Sequence, residues 1–211
     1  MKIVSVILAR GGSKGIPQKN IVNLNGKPLI QYSIDASNNS NVEETWVSTD
    51  CSKIKKISLS LGANVLDRPT HLATDISSSD SALLHFAENV DFEILVFIQP
   101  TSPLIKAHDI NKGIDLIHNS YDSIFSGCRE HWIPRWSLDV KPYNWDIMNR
   151  PRRQDVPEQI IENGAFYITT KKKLVESQLR YSGKIGCIEM PLSRSFQIDT
   201  LEDLELIKKL L

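Results

Sequence analysis

The sequence predicts an α/β fold with a mainly parallel sheet and helices on both of its faces. Three observations carry that expectation. Strand-like and helix-like patterns alternate along the chain, the strands are short apolar runs rich in branched residues, and each helix shows one apolar stripe. The run Ile3-Val4-Ser5-Val6-Ile7-Leu8 is the first buried strand. Pro28 stands where a helix begins, with Leu29, Ile30, Ser33 and Ile34 as its buried stripe. Residues 45–49 read as the second strand, and residues 52–61 as a helix closed by Gly62. Residues 82–89 have helical spacing, and Ile94-Leu95-Val96-Phe97-Ile98 is the clearest central strand. Ile110, Ile114 and Ile117 recur at helical spacing, and residues 123–126 return as strand. Residues 164–168 and 184–190 are the remaining strands. Thr200-Leu201-Glu202-Asp203 then starts a closing helix whose stripe is Leu204, Ile207 and Leu211.

Periodicity breaks between residues 129 and 160, a stretch with Trp132, Trp136, Trp145 and four of the ten prolines. An irregular insertion of that length inside a compact domain is usually a lid or a binding loop. The 211 residues suit one domain, and no repeat, low-complexity tract or linker interrupts them.

Charge and cysteine usage narrow the function. The 25 basic and 25 acidic residues balance, which argues against a nucleic-acid or membrane partner. No run of eighteen apolar residues occurs, and the N-terminus runs into a strand without a signal-peptide pattern, so the expected location is the cytoplasm. Cys51, Cys128 and Cys187 are odd in number and far apart, as reduced core residues are; the five histidines lack zinc-ligand spacing.

Positive charge is concentrated locally. After the first strand, Leu8-Ala9-Arg10-Gly11-Gly12-Ser13-Lys14-Gly15-Ile16-Pro17-Gln18-Lys19-Asn20 combines three glycines with Arg10, Lys14 and Lys19, and no acid intervenes. Glycines let the backbone turn tightly and approach a ligand, and the cations suit a polyanion of phosphate size. Neither Gly-x-x-x-x-Gly-Lys-Ser/Thr nor Gly-x-Gly-x-x-Gly is present, which excludes the two commonest phosphate motifs.

Four further groups carry chemistry. Gln99-Pro100-Thr101-Ser102-Pro103-Leu104 follows the central strand, where open α/β sheets bind ligands; it is otherwise a rigid turn. Arg68-Pro69 and Ser77-Ser78-Ser79 precede a helix, whose N-terminus suits an anion or a carbonyl; the plainer alternative is a cap by Ser79 and a surface arginine. Arg152-Arg153 offers a bidentate grip on a carboxylate, and Glu162-Asn163-Gly164-Ala165-Phe166-Tyr167-Ile168 offers an amide that donates and accepts. In Arg194-Ser195-Phe196-Gln197-Ile198-Asp199-Thr200, Asp199 is either a metal ligand or a helix cap.

Taken in order, these motifs resemble the acylneuraminate cytidylyltransferases over nearly the whole chain. The glycine loop resembles the family's opening Leu-Ala-Arg-x-x-Ser-Lys-Gly-x-Pro-x-Lys-Asn, and Gln-Pro-Thr-Ser-Pro-Leu is similar to its next signature. The likeness implies a three-layer, Rossmann-like nucleotidyltransferase fold with a mixed, mostly parallel sheet. It implies that CTP and a nine-carbon 2-keto-3-deoxy (nonulosonic) sugar acid give a CMP-sugar and pyrophosphate. Leu8, Ala9, Arg10, Gly11, Ser13, Lys14, Lys19 and Asn20 would hold the nucleotide, with Arg68 and Ser79 at the cytosine. Gln99, Arg153, Asn163, Tyr167 and Tyr181 would hold the sugar. Arg10, Lys19 and Asp199 would serve catalysis, Asp199 by carrying Mg²⁺. A homodimer is implied as well, built on an insertion and dimerisation region around residues 130–185 whose aromatics, Tyr181 included, are expected to be exposed.

The chain departs from the family twice. Ile161 stands where an arginine often precedes Asn-Gly-Ala, and Gln197 replaces the first acid of the usual Asp-Ile-Asp-Thr. Two rival readings follow: a nucleotidyltransferase for another sugar, lacking here the usual Gly-x-Gly-Thr/Ser-Arg opening, and a non-catalytic nucleotide-binding relative, favoured by Gln197.

Overall fold

A computed structural model describes residues 1–119 and 121–211. In chain order the first half comprises β1 (Ile3–Leu8), the short β2 (Asn23–Leu24) and β3 (Lys27–Pro28), α1 (Leu29–Asn38), β4 (Glu44–Thr49), α2 (Ser52–Ser60), β5 (Asn64–Asp67), α3 (Ser79–Asn89) and β6 (Ile94–Ile98). The second half comprises α4 (Ala107–His118), β7 (Ser123–Glu130), a small hairpin of β8 (Arg135–Trp136) and β9 (Pro142–Tyr143), β10 (Gln159–Thr170), α5 (Lys171–Ser177), β11 (Ile185–Glu189) and α6 (Leu201–Leu210). Seven strands make the main sheet in the order β11-β7-β10-β6-β1-β4-β5. β1 runs parallel to β4 and β6, β4 to β5, and β7 to β11; only β10 is antiparallel to its neighbours.

The alternation of side chains along each strand builds the three layers. From β1, Ile3 and Ile7 face one side with Ile94, Val96 and Ile98 of β6, where Ile30 and Ile34 of α1, Ile54 of α2 and Ile110 and Ile114 of α4 cover them. Val4 and Val6 face the other side with Leu95 and Phe97, under Leu83 and Phe86 of α3 and Leu174 of α5. Both faces being covered explains why β1 and β6 read as continuous apolar runs. Ser5 is the exception in β1, and its hydroxyl is satisfied: it bonds Ser37 of α1 at 2.6 Å, which bonds Thr45 at 2.7 Å.

Several elements differ from the sequence expectation. α3 starts three residues before residue 82 because Ser78, not Ser79, is its N-cap, accepting from the Ser81 N–H at 3.0 Å. β7 and β10 run beyond residues 123–126 and 164–168 because they pair outward into the insertion, as far as Glu130 with Gln159. β5 is a four-residue edge strand ending in Asp67, and α5 has only Leu174 fully buried; neither carries enough periodicity to be read. Leu211 lies beyond α6 and is exposed, so only Leu204 and Ile207 of its expected stripe are buried. Gly62 does close α2 in the left-handed region, at φ +82°.

The turn before α6 is tied to the body by a buried acid. Asp109, in the first turn of α4, is 2 % exposed, accepts from both terminal nitrogens of Arg194 and also caps the Lys106 N–H at 3.0 Å. Asp109→Ala would strand a largely buried guanidinium, a loss of about 3 kcal/mol. Urea unfolding should show the midpoint fall accordingly at unchanged slope; a loss below about 1 kcal/mol would mean that the pair behaves as a surface one.

Candidate functional site

Because β1, β4 and β6 are parallel, their carboxyl ends reach one edge of the sheet, where the loops after Leu8, Thr49 and Ile98 meet. β10 runs the other way, so the start of its inner half returns to that same edge. The Gln99 N–H donates to the Ala165 carbonyl at 3.0 Å there. Motifs about 60 residues apart in sequence are thus joined by strand direction alone.

The glycine loop is shaped by close approach rather than by unusual torsions: the left-handed residue is Gln18, at φ 51°, and none of its three glycines has a positive φ. A Cβ on Gly11 would lie 2.9 Å from that of Cys51, and one on Gly15 would lie 2.5 Å from the Asp199 carbonyl oxygen. The Gly11 N–H donates to Asp50 at 2.8 Å, and the Ala9 N–H to the Ser48 carbonyl at 3.0 Å. Asn20 is buried and donates to the Arg10 carbonyl at 2.9 Å, so it holds the loop from beneath.

Over this loop lies a cleft of about 390 Å³, lined by Leu8, Arg10, Ser13, Lys14, Lys19, Asn20, Ser79, Gln99, Gln197 and Asp199 among others. All three expected cations reach it, and each has a resident carboxylate. Arg10 and Lys14 converge on Asp75 at 2.9 and 2.7 Å, and Lys19 meets Asp199 at 2.8 Å. The Lys14 ammonium, with Arg10 beside it, holds the Asp75 carboxyl below the usual carboxylate range. One carboxylate spanning two cations occupies the place that an anionic ligand would take.

A smaller pocket of about 270 Å³ adjoins it, sharing Leu8, Arg10 and Ser79 and adding Arg68, Asp75 and Ser78. Arg68 is 8 % exposed and donates to both the hydroxyl and the carbonyl of Ser48. Burial pulls it down to about 10, partly offset by Asp50, so it remains a cation at neutral pH. Its remaining N–H donors, with Ser79 at the start of α3, suit the acceptor edge of a planar ligand. Arg68 is therefore not the surface arginine of the plainer alternative.

On the β10 side, buried Asn163 donates to Ser195 Oγ at 2.9 Å and accepts from the Ala165 N–H at 3.1 Å. Tyr167 stacks on Phe97 with ring centroids 5.6 Å apart, and its hydroxyl donates to Glu162. Burial, then Glu162, pushes the phenol well above its ordinary value. Tyr181 packs on Tyr167 at 6.0 Å and is half-buried, which corrects the expectation of an exposed aromatic; Arg180 beside it is held by Asp80 at 3.0 Å. Arg153 is exposed on a turn of the insertion and lines neither cavity.

Asp50 and Asp75 were not singled out from the sequence. Asp50 directly follows the second expected strand, and Asp75 is the acid of Arg-Pro-x-x-Leu-Ala-x-Asp; the lack of any acid within the cationic loop was the available signal that counter-charges come from elsewhere in the chain. Among the described residues, no three or more His, Cys, Asp or Glu side chains group to hold a metal, and Asp199 is the one acid lining the larger cleft. Cys187 is pushed up to about 11 by burial, and the histidines stay outside both pockets. A roomier cavity of about 560 Å³ between α1 and the end of α6 is a poorer candidate, because it takes in none of Arg10, Lys14, Lys19, Arg68 or Asn163.

The chain belongs to the cytidylyltransferase family, whose model matches residues 4–210. It is 39% identical over 204 residues to N-acylneuraminate cytidylyltransferase B of Danio rerio, covering 92% of this chain and 48% of that protein. It is 31% identical over 227 residues to a pseudaminic acid cytidylyltransferase of Campylobacter jejuni, covering 99% and 95%. The chain thus spans about half the length of the Danio relative but nearly all of the Campylobacter one. In fold it is similar to a CMP:2-keto-3-deoxy-manno-octonic acid synthetase solved with CTP, at a TM-score of 0.78 and 20% identity over 100% of this chain and 98% of that one. The architecture is that of a three-layer α/β nucleotidyltransferase. Among the described residues, no helix is long and apolar enough to cross a membrane.

Asp75 and an incoming anion compete for the same two cations. Asp75→Asn should therefore bind inorganic pyrophosphate about threefold tighter or better by calorimetry at low salt, an advantage that high salt removes. Unchanged or weaker binding would show that Asp75 supports the loop instead of screening it.

Proposed function

We propose that this chain transfers CMP from CTP to a nonulosonic sugar acid and releases pyrophosphate. The observation that carries the reading is the convergence of Arg10, Lys14 and Lys19 between the Arg68–Ser79 pocket and the Asn163 turn. The named activities of the Danio and Campylobacter relatives support it.

The triphosphate exchanges places with Asp75 and Asp199 on the three cations, and the cytosine enters the smaller pocket toward Arg68 and Ser79. Gln99 and Asn163 orient the sugar acid. Its anomeric hydroxyl attacks the α-phosphorus in line; the new O–P bond forms as the bond to pyrophosphate breaks and the hydroxyl proton passes to solvent, with no covalent enzyme intermediate. Such chemistry needs chiefly positioning and charge neutralisation, which Arg10, Lys14 and Lys19 supply. Asp199 would hold Mg²⁺. A single, well-exposed carboxylate fits an ion that keeps several waters and takes its other ligands from phosphate oxygens. When bound, the ion supplies further neutralisation of phosphate charge.

The assembly we propose is a homodimer. The insertion exposes Ile133, Leu138, Val140, Ile147 and Met148, an apolar surface that a monomer leaves in water. Arg153 stands on this same projection, away from its own cleft, as a residue would that grips the sugar carboxylate in a partner's site. Use of CTP and three free thiols accord with a cytoplasmic setting.

Pyrophosphate release with CTP and Mg²⁺, run across N-acetylneuraminate, legionaminate and pseudaminate, tests the reaction. Turnover with at least one acid is expected. CTP binding without turnover on any acid would favour the non-catalytic reading, and turnover only with a sugar 1-phosphate would favour the other rival. Lys19→Ala should lose roughly ten- to hundredfold in rate at subsaturating CTP, with circular dichroism unchanged. Asp199→Asn should lose nearly all activity; if it retains full activity, or if EDTA is without effect, Asp199 only positions Lys19. Light scattering should give twice the chain mass, and Leu138→Glu with Val140→Glu should give a monomer; an active wild-type monomer would refute the dimer.

A further inference from the structure

We infer that Gln197 is a positioning residue for the sugar acid, clamping the Asn163–Gly164 turn through its side-chain amide; this rests on the reaction proposed above. The turn needs such a clamp because it lies outside the sheet ladder. β10 pairs with β7 up to Glu162 opposite Gly127 and resumes only at Tyr167 opposite Phe125, while its pairing with β6 begins at Phe166. Asn163, Gly164 and Ala165 form the irregular stretch between, and their polar groups must find partners elsewhere.

Asn163 finds them on the segment that carries Asp199, while the Ala165 N–H donates to the Asn163 side chain and the Ala165 carbonyl accepts from the Gln99 N–H. The Gln197 amide nitrogen donates to the Asn163 carbonyl, and Ser195 Oγ accepts from the Asn163 side chain at 2.9 Å. Residues 195 and 197 thus grip Asn163 at its side chain and its backbone. Gly164 is in the left-handed region, at φ +66°, and a Cβ there would collide with the Gln197 amide and sit 3.1 Å from Gln99 Oε1. Two glutamine amides therefore lie directly over the one glycine. The gripping segment is itself fixed, by the Ile198 N–H donating to the Thr101 carbonyl at 2.8 Å and by Gly15 packed under the Asp199 carbonyl. Through five residues, the sugar side of the cleft is held at a set distance from the phosphate side.

The chemistry at position 197 has to be an amide for this. A carboxylate at neutral pH has no proton to donate and would set a negative charge against the Asn163 carbonyl. Gln197 can do both parts of the task without charge: its nitrogen satisfies the turn, and its oxygen is left as a neutral acceptor in the cleft. Losing the donor leaves a half-buried carbonyl unpaired and frees the turn that presents Asn163.

Gln197→Met keeps the length of the side chain and removes the donor without adding charge. With CTP and whichever of N-acetylneuraminate, legionaminate or pseudaminate the wild type accepts, the sugar-acid KM should rise about tenfold, while the CTP KM and the free Mg²⁺ at half-maximal rate stay within about twofold. Hydrogen exchange on the ligand-free protein should quicken in the peptide spanning residues 162–168 and not in β1 or β6. Gln197→Glu, which keeps shape and polarity but lacks the N–H, should show the same exchange change if the methionine variant folds poorly. An unchanged sugar-acid KM with unchanged exchange overturns the inference, as does a shift confined to the Mg²⁺ requirement or the CTP KM. A wild type that turns over no acid defeats the proposed reaction alone, and the exchange comparison still decides whether Gln197 holds the turn.

Discussion

Three cations without an acid among them, packed into the first eleven residues after a buried strand, are the constraint around which the cleft is built. Like charges so close repel, and a loop of this kind holds its shape only with counter-charges brought from elsewhere in the chain. Asp75 and Asp199 supply them, 65 and 180 residues downstream of Arg10 and Lys19 respectively. The carboxylates of these pairs, Asp75 and Asp199, are exposed, so water competes for each contact and the pairs are open to exchange for an anion. Asp50 differs in kind: it fixes the backbone through the Gly11 N–H and faces buried Arg68, and so belongs to the frame rather than to the exchangeable charge.

That frame comes from strand direction. Parallel β1, β4 and β6 deliver the cationic loop, Asp50 and Gln99 to one edge, and the reversed β10 returns Asn163 to it. With all strands parallel, residues 163–165 would have emerged at the opposite edge, some strand length away. The single antiparallel strand therefore sets the Asn163 turn beside the cationic loop within one domain. The irregular stretch of β10 has the cost of backbone outside the ladder, which Gln197 offsets at the Asn163 carbonyl while Ser195 holds the Asn163 side chain.

Much of this was legible in the sequence, for physical reasons. β1 and β6 could be read almost to the residue because strands covered on both faces must be apolar throughout. The closing helix was readable from its capping box, Thr200 with Asp203. The cationic glycine loop was readable because its residues are adjacent in sequence, and the fold brings its three cations to one cleft. What could not be read depended on long-range pairing. The extension of β7 and β10 into the insertion needs each strand as the other's partner, and the edge strand β5 owes its form to β4. Asp75 looks like any surface acid until the fold sets it between Arg10 and Lys14, and the burial of Tyr181 depends on Tyr167. Gly11 and Gly15 were legible as necessary but not in their role, which is close contact with Cys51 and Asp199 rather than torsional freedom.

The measurement that bears most directly on the cleft as a triphosphate site is a pair of calorimetric titrations, CTP and CMP against the wild-type protein, each at low and at high KCl. If Arg10, Lys14 and Lys19 receive the phosphates, CTP binds much more tightly than CMP at low salt, and its advantage falls steeply as salt screens the loop. Equal affinities with equal, shallow salt dependence would mean that the cations do not meet the phosphates, and the account of the cleft would fail.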